Sequence, residues 1–172
     1  MSDDAEKPRK RHSLGGWKFI VAIVLILGYS VAATYGVMSD TSIRGLTIKM
    51  FNVSRYCATQ SNSLESLNYS LKGAIWSASS IQTSLNHMTF TLSADGLVMG
   101  TRSQSGASFG PGQSVAFNLT FTHPTLNPTK QTILPLSSRL VLTLSATVAA
   151  GLYSATEAAS DNTLQTFTST GC

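Results

Sequence analysis

The chain has 172 residues, 42% hydrophobic and 12% charged, with a formal net charge of +4. That length suits one domain and leaves little room for a second. Charge is placed unevenly. Residues 1–18 hold five of the twelve basic side chains (Lys7, Arg9, Lys10, Arg11, Lys18) and three of the eight acids (Asp3, Asp4, Glu6). Residues 38–172 carry only 12 charges in 135 positions, against 41 Ser and Thr. The bulk of the chain therefore has no basic face, which excludes the usual nucleic-acid binder. Its patterned apolar residues exclude a disordered polyelectrolyte.

The first element is an apolar run. Phe19 to Ser39 is 21 residues without a charge, and about 20 helical residues cover the hydrocarbon core of a bilayer. Trp17 and Tyr35 stand near its ends, where amphipathic rings sit at headgroup level. Five Lys and Arg precede the run and only Arg44 and Lys49 follow closely, so the positive-inside bias keeps the N-terminus in the cytoplasm. The reading is a basic cytoplasmic tail (1–18), a transmembrane signal-anchor helix (19–38) and an extracytoplasmic domain (39–172), in a single-pass protein of the cell membrane. The alternative is secretion after signal-peptide cleavage at the small residues Ser30-Val31-Ala32. Gly28, Ala32 and Gly36 recur every fourth residue, a helix-packing stripe that allows close approach of a second copy or another span.

Beyond the span, apolar residues recur with period two between turn signals, as half-buried antiparallel strands require. Leu46, Ile48 and Met50 form the first such run, and Leu67, Tyr69 and Leu71 the second. Met88, Phe90 and Leu92 come next, before the hairpin dipeptide Asp95-Gly96. Gly110-Pro111-Gly112 introduces the longest run, Val115, Phe117, Leu119 and Phe121. Pro124, Pro128 and Pro135 mark a connection that cannot be a central strand. Leu140, Leu142 and Leu144 form a further strand, the Ala-rich stretch Ala149–Ala159 suggests a short helix, and a last strand holds Leu164 and Phe167. Six or seven strands with no long amphipathic helix predict an all-β, two-sheet sandwich behind one N-terminal transmembrane helix.

The segment from Met88 to Thr122 resembles the centre of the late-embryogenesis-abundant group 2 domain, also called the water-stress and hypersensitive-response (WHy) domain. The matching positions are the hairpin Asp95-Gly96, the continuation Met99-Gly100, and the strand entry Phe109-Gly110-Pro111-Gly112-Gln113-Ser114. The single span behind a basic tail is similar to the layout of membrane-anchored members. Where that family has an Asn-Pro-Asn turn, this chain has Ser77-Ala78-Ser79-Ser80. The resemblance implies an immunoglobulin/fibronectin-III-like antiparallel β-sandwich with a non-catalytic role in stress protection or surface binding.

Catalytic patterns do not assemble. Gly106-Ala107-Ser108-Phe109-Gly110 matches G-x-S-x-G, but a nucleophile elbow needs a strand before the serine, a helix after it, and a later acid followed by a histidine. Here Pro111-Gly112 and a strand follow, and the last histidine, His123, precedes the late acids Glu157 and Asp161. The stretch reads as a Ser/Gly loop. His12, His87 and His123 show no metal-ligand spacing, and no glycine-rich phosphate loop opens a helix. The expectation is no enzyme, no cofactor and no metal.

Cys57 and Cys172 are the only cysteines, and in an oxidising compartment they are a candidate disulfide. Closing so long a loop contributes roughly 4–5 kcal/mol in the chain-entropy model; two free thiols, or an intermolecular bond through Cys172, are the alternatives. N-glycosylation triplets begin at Asn52, Asn68 and Asn118, and the strand phase points Asn68 and Asn118 to solvent. Few charges and many hydroxyls suit a protein or envelope-polymer partner on the outer face. Two other roles stay open: a structural subunit of a cell-surface filament or envelope assembly, acting as a homo-oligomer, and an accessory subunit of a membrane complex.

Overall fold

The computed structural model describes residues 14–59, 65–124 and 136–167. The chain divides into two compact units, Met1–Val37 and Met38–Cys172. The first contains most of α1 (Leu14–Arg44), a helix long and apolar enough to cross a membrane. Phe19, Leu25, Ile26 and Leu27 on it are exposed. So dense a run of bare apolar side chains calls for a non-aqueous environment or a covering partner.

α1 runs five residues past the apolar segment, and its last turns belong to the second unit. Asp40 and Arg44 pair at 2.9 Å across one turn on the exposed side. On the other side Ser39, Ser42 and Ile43 are buried. A helix end leaves four carbonyls without intrahelical partners. Here the Gly45 N–H donates to the Thr41 carbonyl at 2.9 Å, and the Ser77 hydroxyl donates to the Ser42 carbonyl at 2.8 Å. The Ser79 hydroxyl donates to the Ser42 hydroxyl at 2.7 Å. Ser77 and Ser79 thus close off the end of the helix.

After Gly45 the second unit is built from β1 (Leu46–Thr59), β2 (Glu65–Ser77), β3 (Thr83–Ala94), β4 (Leu97–Gln104), β5 (Ala107–Phe109), β6 (Ser114–Pro124), β7 (Ser137–Ala150) and β8 (Tyr153–Thr166). All pairings are antiparallel. One sheet has the order β1-β2-β6; the other runs β4-β3-β7-β8, with β5 also pairing β3. Asp95 (φ 49°) and Gly96 (φ 84°) both have positive φ, as a two-residue type I′ hairpin turn requires.

The core lies between the sheets. Leu67, Tyr69, Leu71 and Ile75 of β2 face Phe90 and Leu92 of β3 and Leu140, Leu142, Leu144 and Val148 of β7. Phe90 and Phe117, from opposite sheets, stack with ring centroids 5.3 Å apart. Gly73 lets this happen, because a Cβ there would lie 2.3 Å from both the Lys49 carbonyl oxygen and the Phe117 ring. At Asn86–His87 the β3–β7 register shifts, and the buried positions of β3 change phase from Thr83 and Leu85 to Met88 and Phe90. His87 takes a positive φ of 49° at this bulge.

A sandwich has four sheet edges with unpaired backbone groups, and a charged side chain closes each seam. Where β1 meets β8, the Asp161 carboxylate accepts the Met50 N–H at 2.7 Å, beside the bulge that leaves Phe51 without a strand partner. Where β4 meets β6, the Arg102 guanidinium donates to the Thr120 carbonyl at 2.9 Å.

The structure corrects two expectations about local structure. Ala149–Ala159 is not helical: β7 ends at Ala150, Gly151-Leu152 turns, and β8 starts at Tyr153. Alanine's helix preference is worth only tenths of a kcal/mol per residue, less than a full ladder of strand bonds. Ala146 and Ala150 point inward and are buried, on the same phase of β7 as Leu144 and Val148. Gly106–Gly110 is not a loop throughout, since Ala107–Phe109 forms β5 against Thr83–Leu85.

Candidate functional site

The outer side of the five-stranded sheet carries polar side chains that the strand register aligns in rows. Along β7 the inward positions are the even-numbered residues from Ser138 to Ala150, which leaves Thr143, Ser145 and Thr147 facing out. Register then fixes their neighbours. One row across four strands reads Thr101–Thr91–Thr143–Ser160, and the next reads Ser103–Thr89–Ser145–Ala158. Asn86, Thr147 and Thr156 form a third. The Thr91 and Thr101 hydroxyls stand 3.5 Å apart, and none of these residues is buried.

Strand geometry spaces such hydroxyls about 4.8 Å between strands and about 6.8 Å along them. Each hydroxyl offers one donor and two acceptor positions. Among the described residues, full charge on this side gathers at one end, where the Asp95 carboxylate accepts the Arg139 N–H at 2.8 Å. Glu157 and Asp161 of β8 fall on the opposite phase, toward β1. The three rows together form a neutral, two-dimensional hydrogen-bonding lattice over the middle of the face.

The remaining candidate residues are scattered. Asn52 and Asn118 are exposed and flank Lys72 in one row of the three-stranded sheet. Asn68 departs from expectation. It lies on the outward phase, yet it is 5% exposed. Its amide donates to Ser66 and its carbonyl accepts the Thr122 hydroxyl at 2.7 Å. A glycan on Asn68 would have to break this group of bonds.

Cys57 lies opposite Leu67 on β1, and Cys172 lies outside the described residues, as do His12 and the basic cluster Lys7–Arg11. The end of the described chain nevertheless sits close to Cys57. The Arg55 guanidinium lies 4.2 Å above the Phe167 ring, which packs edge-on against Tyr69 at 6.0 Å. Burial raises the Tyr69 phenol above its ordinary range, with Arg55 opposing the shift.

Gly28 has open space around it and Ala32 is exposed, with Gly36 half-covered. Ser108 sits on β5, followed by a turn and β6 rather than a helix. His87 is on the β3 bulge and His123 on β6 opposite Leu67. No group of three or more His, Cys, Asp and Glu among the described residues could hold a metal ion.

No protein-family model matches the chain, and no curated protein matches it. A crystal structure of a protein from Archaeoglobus fulgidus is similar over 69% of this chain and 97% of its own, at 7% identity and a TM-score of 0.39.

Proposed function

We propose that this chain is a single-span membrane protein, N-terminus cytoplasmic, whose outer domain is a non-catalytic binding module for a neutral, hydroxyl-rich envelope polymer. The observation that carries the reading is the uncharged lattice on the five-stranded sheet, with rows such as Thr101–Thr91–Thr143–Ser160. Each net hydrogen bond to such a lattice contributes about 0.5–1.5 kcal/mol, whereas association costs several kcal/mol in lost freedom. One sugar-sized ligand gains little. A repeating ligand that engages several rows at once gains by avidity.

The division into β1-β2-β6 and β4-β3-β7-β8 supports an immunoglobulin/fibronectin-III-like sandwich. The membership we propose is the WHy family, on the Met88–Thr122 resemblance, with stress protection of the envelope as the broader role. Full-length protein in nanodiscs should bind immobilised neutral polysaccharides such as dextran, mannan or xylan with little salt dependence, because screening acts on charge. Thr91→Glu with Thr143→Glu should cost at least tenfold in apparent affinity. Binding that collapses with salt, or that survives the double substitution, overturns the reading.

A further inference from the structure

Among the described residues, the turn joining β7 to β8 carries the most exposed large apolar side chain of the second unit: Leu152 is 92% exposed, and Tyr153 beside it is 52% exposed. Gly151 alone supplies the positive φ (62°) that the turn needs. Position 152 accepts any residue, and a polar one is the usual choice at a wet loop tip. Leucine there does nothing for the fold.

A continuous set of bonds places this turn at the end of the sandwich where α1 enters. Ser42 on the last turn of α1 is bonded to Ser79 at 2.7 Å. The Ser79 hydroxyl accepts the Ile81 N–H at 3.0 Å, and the Thr83 hydroxyl donates to the Ile81 carbonyl at 3.3 Å. Thr83 pairs with Ala150, and Ala150 with Tyr153. The other sheet brings an aromatic pair to the same end. Trp76, next to the capping Ser77, packs edge-on against Phe51 at 5.6 Å, and Phe51 is on the bulge and exposed. Tyr and Trp are the residues that favour the boundary between headgroups and acyl chains.

We propose that this end of the domain rests on the lipid surface, with Leu152 in the acyl boundary and Tyr153 at headgroup level. The inference depends on α1 being a membrane anchor, since the chain entering at Met38 then leads directly from the bilayer. Shallow insertion of a few apolar side chains is the usual depth for an interfacial contact. It would hold the outer sheet faces upright, away from the membrane, and leave the hydroxyl lattice accessible.

Leu97 provides an internal control. It is as apolar and is also exposed, but it pairs with Ala94, which pairs with Leu140. That is ten residues along β7 from Ala150, or about 33 Å. The test uses the full chain in nanodiscs, with an environment-sensitive fluorescent amino acid placed singly at positions 27, 97 and 152. Quenching by lipids brominated on the acyl chains is compared with quenching by aqueous iodide. Expected are strong lipid quenching at 27, several-fold more lipid quenching at 152 than at 97, and iodide quenching dominant at 97. Position 27 in lipid with 152 behaving like 97 overturns the contact and leaves the anchor standing. Position 27 exposed to iodide overturns the anchor itself, and the contact with it.

Discussion

Gly73→Ala offers a sharp test of how the two sheets close on each other. The added Cβ would sit 2.3 Å from the Lys49 carbonyl oxygen and 2.3 Å from Cζ of Phe117, more than an ångström inside ordinary contact. The ring is only 4% exposed and is backed by Phe90 at 5.3 Å, so it has little room to swing. The carbonyl is backbone and moves only if β1 parts from β2 next to the Met50/Asn52 register shift. Overpacking of this kind costs about 1–3 kcal/mol, and both obstacles push toward the upper end. Replacing a strand glycine by alanine returns about 0.5–1 kcal/mol of chain entropy, leaving a net loss of about 2 kcal/mol. For a domain of this size that lowers Tm by roughly 6–10 °C. Thermal unfolding in detergent, followed by near-ultraviolet circular dichroism, reads the shift. Gly28→Ala, with open space around it, is the control and should not lose stability. An unchanged or raised Tm for Gly73→Ala would refute the packing argument.

Asp161→Ala strands the Met50 N–H at a half-buried seam and should lower stability by about 1–3 kcal/mol; Asp161→Asn keeps an acceptor and should lose less than half of that, by urea midpoint. Tyr69, held above its ordinary pKa of about 10 by burial, stays protonated in the fold at pH values where the unfolded chain has ionised. Stability is therefore full below about pH 10 and falls as pH rises from there toward the raised folded value; Tyr69→Phe should remove that part of the alkaline loss, read by denaturant titration at pH 9 and 11. Alkylation of the unreduced protein should label neither Cys57 nor Cys172, because Phe167 lies against Arg55, two residues from Cys57, and the five residues to Cys172 reach up to about 17 Å; labelling of both removes the bridge.

Much of the fold was legible in the sequence because one physical signal dominated. Alternation at Val115–Phe121 and Leu140–Leu144 marks strands buried on one face, and both lie in the core. Asp95-Gly96 was legible because a type I′ turn needs those residue types. Ala149–Ala159 was misread, since alanine's small helix preference does not exclude a strand, and only pairing decides between them. Asn68 was misread because phase gives a residue's side of the sheet but not what covers that side. The hydroxyl lattice was half visible. The polar phase of each strand showed Ser and Thr, but aligning Thr101, Thr91, Thr143 and Ser160 needs the register of four strands far apart in sequence. The helix cap was hidden in a run of serines, which carries no distinctive pattern until Ser77 and Ser79 meet Ser42.

Retention of the apolar helix and exposure of the domain outside the cytoplasm are tested most directly by the intact mass of the native membrane-extracted protein, before and after reduction and deglycosylation. The expected result is a mass that includes the apolar helix, two hydrogens lighter before reduction, with any glycan accounted for by Asn52 and Asn118 alone. A mass beginning near Ala33 would contradict it, leaving a secreted sandwich with no anchor and no bilayer for Leu152 to meet.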